Sequence, residues 1–370
     1  MNKNRGLQVG AIICFVVSVL MISCQKEQQG TLENDQAPTP LLLKIPPHFP
    51  RPIEMPDNPL TVEGVHLGRQ LFYDPLLSAN MQVSCASCHH QERAFADGVA
   101  LTSAGVSGKK LERHSPTLIN LAWADQGFFW DGGAKNLESQ AFGPLTHADE
   151  MGMSLVTLAN RMMASKLYVN LFQQAFNEKP SAQGAAKALA QFQRTLISAS
   201  SRYDSYRSGQ DMQALTASEQ RGMHLVIQKC GGCHRGELFT DNAFHNNGID
   251  DDFTDDSNEW IHRGRYRISF NPGDLGAFKT PTLRNITRSA PYMHDGRFTS
   301  LDQVLQHYRS GIKHSPVTDR LLYDQNENPG IAMSDGEMND IKSFLEALTD
   351  EIFLNETNFS NPHKNENRKK

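Results

Sequence analysis

Two short stretches of this 370-residue chain carry residues at a spacing that dictates a specific chemistry. Cys85-Ala86-Ser87-Cys88-His89 and Cys230-Gly231-Gly232-Cys233-His234 each place two thiols three residues apart, with an imidazole directly after the second. Thiols so spaced form thioethers to the two vinyl groups of one haem, and the following histidine is carried beneath the iron as its proximal ligand. With six cysteines and 14 histidines in the chain, chance alone would supply this pattern about 0.004 times, yet it occurs twice. A zinc site of four thiolates needs no histidine after both pairs, and a thioredoxin-type dithiol expects a βαβ setting that is missing here. The sequence therefore predicts two covalently bound c-type haems, attached at Cys85, Cys88, Cys230 and Cys233 and ligated by His89 and His234. An iron with two protein ligands passes electrons, whereas an iron with an open position binds peroxide or oxygen.

Each haem needs helices wrapped around it, and the 145-residue offset between the motifs implies one cytochrome c-like domain for each. Residues 58–205 are expected to form the first domain and residues 206–352 the second. Apolar periodicity predicts helices from Ser154 to Phe176 and from Ala185 to Tyr203. Capping boxes open three more, at Thr216 with Glu219, Ser300 with Gln303 and Ser334 with Glu337. No stretch alternates with a period of two, and Gly and Pro gather in the connections, as in Asn271-Pro272-Gly273. The fold class is thus all-α with long connecting loops. Residues 353–370 are mostly polar and are expected to be a frayed tail.

The first residues point to export. Lys3 and Arg5 precede an apolar run, Val9 to Ile22, which is too short for a spanning helix and ends at Leu20-Met21-Ile22-Ser23-Cys24. This resembles the lipobox of bacterial lipoproteins, so residues 1–23 are expected to be a signal peptide and Cys24 to be lipidated. Residues 24–57, rich in Gln, Glu and Pro, follow as a tether and extended strap. The chain carries 36 basic and 41 acidic residues, a net charge of −5, or −7 once residues 1–23 are removed. That balance excludes nucleic acid as a partner and leaves no polybasic patch for anionic lipid, so attachment to a membrane would be by the lipid anchor alone.

Further motifs occur in a fixed order: Leu67-Gly68-Arg69-Gln70-Leu71-Phe72, Ser115-Pro116-Thr117-Leu118, Phe129-Trp130-Asp131-Gly132, Leu137-Glu138-Ser139-Gln140-Ala141, Glu150-Met151, Thr280-Pro281-Thr282-Leu283-Arg284-Asn285 and Ala290-Pro291-Tyr292-Met293-His294-Asp295-Gly296. With the two haem motifs, they make most of the chain similar to the bacterial dihaem cytochrome c peroxidase and MauG family. The resemblance implies an N-terminal peroxidatic haem and a C-terminal electron-transfer haem. It also implies that Glu150 is the active-site acid/base, Gln140 its companion, Pro144 part of the pocket wall and Trp130 a relay between the haems. A carboxylate suits that task, because a proton must move from the near to the far oxygen of peroxide as the O–O bond breaks.

Two departures from the family stand out. The loop at residues 97–113, where classical peroxidases carry a histidine that blocks the first iron until the other haem is reduced, has none. A peroxidatic haem open without reductive activation is therefore expected, with His114 and His147 the nearest histidines that would contradict it. At Tyr308, fourteen residues after His294, the classical enzymes place a methionine ligand to the second iron, while MauG has tyrosine. Tyr308 is thus a candidate sixth ligand. The family's calcium would meet His114 in place of an asparagine, beside carbonyls of Ser289 and Pro291; imidazole is a poor ligand for so hard a cation, which leaves calcium a doubtful cofactor.

The function expected is a peroxidase that reduces hydrogen peroxide to water with electrons from a small exported cytochrome c or cupredoxin. The alternatives are a MauG-like oxidase acting on a protein at long range and a non-enzymatic electron-transfer cytochrome. The location expected is periplasmic, and a homodimer is allowed for.

Overall fold

The computed structural model describes residues 37–254 and 258–364. The signal segment, Cys24 and the first part of the tether lie outside the described residues. The chain is mostly helical. In order come α1 (Val62–Tyr73), α2 (Leu137–Thr146), α3 (Leu155–Ala164), α4 (Lys166–Phe176), α5 (Ala182–Arg194), α6 (Arg202–Arg207), α7 (Ala217–Lys229), α8 (Tyr266–Ser269), α9 (Leu301–Gln306), α10 (Asp335–Ala347) and α11 (Glu351–Asn355). The one sheet among the described residues is a two-stranded antiparallel ribbon of β1 (Phe244–His245) and β2 (Phe278–Lys279).

Apolar side chains collect in two main clusters. The first, around Leu67, Leu71, Phe72, Phe172, Leu189 and Phe192, is built from α1, α4 and α5; the second, around Val226, Phe239, Ile341, Phe344 and Leu345, from α7 and α10. Each cluster is organised by a helix pair that crosses at a glycine. A Cβ on Gly68 of α1 would stand 1.9 Å from the Ala188 carbonyl oxygen of α5, and one on Gly222 of α7 would stand 1.9 Å from that of Asp340 in α10. Only a residue without a side chain lets backbones approach so closely.

All three predicted capping boxes form, with Thr216, Ser300 and Ser334 accepting the amides of Glu219, Gln303 and Glu337. Two helix expectations are corrected. The run from Ser154 to Phe176 is two helices, because Ser165 leaves helical geometry and caps α4 through Tyr168 N. The run from Ala185 to Tyr203 stops at Arg194: Thr195 N and Leu196 N tighten onto the carbonyls of Phe192 and Gln193, and the amides after Ile197 go to distant side chains. Asn120 Oδ1 accepts Ser198 N at 2.9 Å, and Asp350 Oδ2 accepts Ala199 N and Ser200 N at 2.8 Å each.

The described part of the strap, residues 37–57, runs without a helix, as expected, and packs Phe49 and Ile45 against Trp123 and Leu238. Trp123 Nε1 donates to the Pro50 carbonyl at 2.9 Å, and Ile53 N to that of Ala122 at 3.0 Å. On its other side His48 Nε2 meets Asp204 at 3.0 Å, and Phe49 lies under the fully buried Arg284, whose guanidinium pairs with both Asp204 oxygens at 2.9 Å. The expected frayed tail is also corrected as far as residue 364. Phe353 and Leu354 belong to the first cluster, Tyr73 Oη donates to the Phe359 carbonyl at 2.6 Å, and Arg69 donates to the carbonyls of Thr357 and Ser360. Polar composition misled here because the partners are main-chain carbonyls, which composition does not reveal.

Candidate functional site

At each CxxCH motif the chain turns so that both thiols and the imidazole face one cavity. Cys85–Ser87 is a single 3₁₀ turn, and His89 N returns to the Cys85 carbonyl at 3.0 Å; at the second motif His234 N returns to that of Cys230 at 2.9 Å. His89 Nδ1 lies 2.7 Å from the Phe95 carbonyl, and His234 Nδ1 lies 3.1 Å from that of Phe239. A carbonyl only accepts, so both rings carry their proton on Nδ1 and leave the Nε2 lone pair free for a metal. Burial reinforces the neutral form, pushing His89 down to about 4 and lowering His234 as well. All four cysteines are free thiols. This donor set suits a c-type haem at both places.

The first cavity is lined by Cys85, Cys88 and His89 on one side and by Gln140, Pro144 and Glu150 on another. Gln140 and Pro144 come from α2. Pro144 has no N–H to return to the Gln140 carbonyl four residues earlier, so the helix ladder is open at this face. Glu150 follows the helix in a turn and is held by the histidine-free loop: Val106 N donates to the Glu150 carbonyl at 2.7 Å, and a Cβ on Gly105 would stand 1.8 Å from the Asp149 carbonyl oxygen. The Glu150 side chain keeps 35% exposure at the rim, yet burial of the rest raises its carboxyl, while His147 opposes the shift. Gly105, Leu111 and Gln193 also line this cavity, and sequence reasoning missed them. Gly105 and Leu111 fall within the loop it singled out, whereas nothing pointed to Gln193.

The larger second cavity is lined by Cys230, Cys233 and His234 with Trp130, His114, Met293, His294 and Tyr308. Tyr308 lies in a π-helical turn, His307–Gly311, that continues α9. Burial pushes its hydroxyl up to about 12, partly offset by a hydrogen bond with Asn247. Asn247 also donates to Met293 Sδ at 3.3 Å, so one amide addresses both side chains. Met293 stood within a quoted motif without being marked; Asn247 had no sequence signal. His307 turns away and meets the Asn247 carbonyl at 3.0 Å through Nε2.

On the wall of the second cavity, Trp130 Nε1 donates to the His114 carbonyl, Lys279 N to that of Trp130, and His114 N to that of His294, each at 2.8 Å. His294 stacks on Phe278 with ring centroids 3.6 Å apart. Asp131, next to Trp130, is buried between Arg113 at 2.7 Å and Arg267 at 3.0 Å. His114 therefore lines the second cavity and spends Nδ1 on the Val99 carbonyl, while His147 sits at the outer rim of the first. Ser289 and Pro291 line the second cavity together with His114, and no cluster of three or more His, Cys, Asp or Glu suited to a metal occurs among the described residues.

Two c-haem attachment sites on a mostly helical chain define a dihaem c-type protein. A family model described as di-haem cytochrome c peroxidase matches residues 62–212. The methylamine utilization protein MauG of Methylorubrum extorquens is 38% identical over 314 residues, 83% of this chain and 85% of its own. Cytochrome c551 peroxidase of Pseudomonas aeruginosa is 32% identical over 82% of this chain and 85% of its own. A crystal structure of a MauG-like protein associated with microbial copper homeostasis superposes with a TM-score of 0.79 at 33% identity, covering 87% of this chain and 99% of that one. The chain belongs to the di-haem cytochrome c peroxidase and MauG family.

Proposed function

We propose that the protein is a dihaem c-type peroxidase that reduces hydrogen peroxide to water, with electrons from a small exported cytochrome c or cupredoxin. One observation carries this reading. Glu150 and Gln140 share a cavity with Cys85, Cys88 and His89, and the loop over that cavity holds no histidine.

When bound, haem supplies an iron that takes peroxide and a redox centre that accepts electrons. His89 would hold the iron of the first haem and His234 that of the second, each through the free Nε2. Glu150 accepts the proton of the near peroxide oxygen and returns it to the far one, a role favoured by burial, which raises its carboxyl toward the working range of an acid/base. Gln140 orients peroxide through its amide, and Trp130 connects the two halves. Residues 58–205 and 206–352 serve as the peroxidatic and electron-transfer domains. Export with a lipid anchor on Cys24 suits a c-type cytochrome, since covalent haem is fitted outside the cytoplasm; no helix among the described residues is long and apolar enough to cross a membrane. A bound calcium forms no part of this reading.

The test is stopped-flow mixing of the holoprotein with peroxide. Glu150→Gln is expected to slow the reaction by about 10²–10⁴-fold with haem content unchanged; an undiminished rate would remove Glu150 from the mechanism. A MauG-like oxidation of a protein substrate is the second reading, favoured by Tyr308 on the cavity of the second motif.

A further inference from the structure

Glu150 has beside it a histidine that the mechanism above does not use. His147 ends α2, and its carbonyl accepts both Glu150 N and Gly152 N at 3.0 Å, so the Glu150 turn is hung on this residue. The ring is 55% exposed, and Nδ1 lies 3.8 Å from Glu150 Oε1. The same Nδ1 is 3.3 Å from Asp149 N. An amide only donates, so neutral His147 offers that nitrogen's lone pair to Asp149. Protonated His147 has no lone pair there, and its Nδ1–H then has the Glu150 carboxylate as the neighbouring acceptor.

The other charges around the pair are few. Asp149 belongs to the same turn, and Lys109 comes from the loop packed over it, 3.7 Å from the Asp149 carboxylate. Cys85 and Cys88 face Glu150 from the haem side and are uncharged thioethers once haem is attached. Lys109 is paired with Asp149, and among the side chains it is the His147 ring whose charge opposes the rise of the Glu150 carboxyl. Reduction of peroxide to water consumes a proton for every electron, and those protons come from solvent. The ring stands where solvent and the Glu150 side chain meet.

We propose that His147 is a positioning residue for Glu150: its ring tunes the ionisation of the Glu150 carboxyl, and its Nδ1 passes protons from solvent to Oε1. The exposed ring turns to close the 3.8 Å between Nδ1 and Oε1; a proton then passes from Nδ1 to Oε1, the neutral ring takes another from water, and no electron is transferred. The proposal rests on Glu150 being the acid/base.

The experiment compares holoprotein variants across pH. His147→Asn keeps a side-chain oxygen for Asp149 N and removes the titrating ring. His147→Lys puts back a permanent cation. Two quantities are read: ionisation of the Glu150 carboxyl by difference infrared spectroscopy, its band assigned with Glu150→Gln, and the rate of reaction with peroxide. In His147→Asn the Glu150 ionisation and the acid limb of the rate profile should both move up by about one pH unit. His147→Lys should move them back. Unchanged Glu150 ionisation in His147→Asn, with the limb still abolished in Glu150→Gln, would overturn the role of His147 and leave that of Glu150 standing. Full activity of Glu150→Gln would overturn both.

Discussion

The indole Nε1 of Trp130 donates to the main-chain carbonyl of His114 at 2.8 Å, and the amide of the same His114 donates to the carbonyl of His294 at the same distance. One peptide segment thus ties the indole to the backbone beside the second haem motif. Trp130→Phe keeps an aromatic ring but loses the donor and the larger π system. Flash or stopped-flow measurement of electron transfer between the haems should show at least a tenfold slower step, with both haems attached. An unchanged rate would make Trp130 a packing residue only.

Gly105→Val should act at a distance from the iron. A side chain there collides with the Asp149 carbonyl and displaces the Glu150 turn. A displacement of about 1 Å costs on the order of 10²-fold in rate. Peroxide kinetics should fall accordingly, while the absorbance of both haems stays the same.

Tyr308 faces the cavity that holds Cys230, Cys233 and His234. Tyr308→Phe removes the hydroxyl that is the candidate iron ligand while keeping the ring in the apolar cluster. Electron paramagnetic resonance of the oxidised holoprotein should show one altered haem signal and one unaltered. Two unaltered signals would assign Tyr308 to packing.

Arg284 and Asp204 form a buried pair whose side chains are 0% and 5% exposed. Removing one partner strands the other charge, so Asp204→Asn should lower unfolding free energy by about 3–5 kcal/mol at neutral pH. Burial alone would raise the Asp204 carboxyl, but Arg284, Ser201 and His48 hold it below its usual range. The folded state therefore binds this proton less readily than the unfolded chain. Its stabilisation is complete above the unfolded pKa of about 3.9 and is lost as pH falls through the folded one. Denaturant titrations should show wild type and variant converging only in strong acid.

What could be read from the sequence was what is fixed locally. A CxxCH turn needs only five consecutive residues, and a capping box needs four, so both survived folding unchanged. Glu150 and Gln140 were found only by likeness to a family, since a lone carboxylate near a helix end has no local mark of purpose. Gly105, Gln193 and Asn247 were invisible because each acts on residues far along the chain. The helix run past Arg194 was misread for the same reason: the side chains that hold the extended chain at residues 198–200, Asn120 and Asp350, come from elsewhere in the chain.

The docking of Phe353 and Leu354 into the first cluster bears on how the protein is made. A core assembled from residues 67–196 that also needs residues 353 and 354 cannot close until nearly the whole chain has been delivered. Contacts of such sequence separation form late. Until then Cys85, which packs against this cluster, lies in an unfinished core where haem can still reach its thiol.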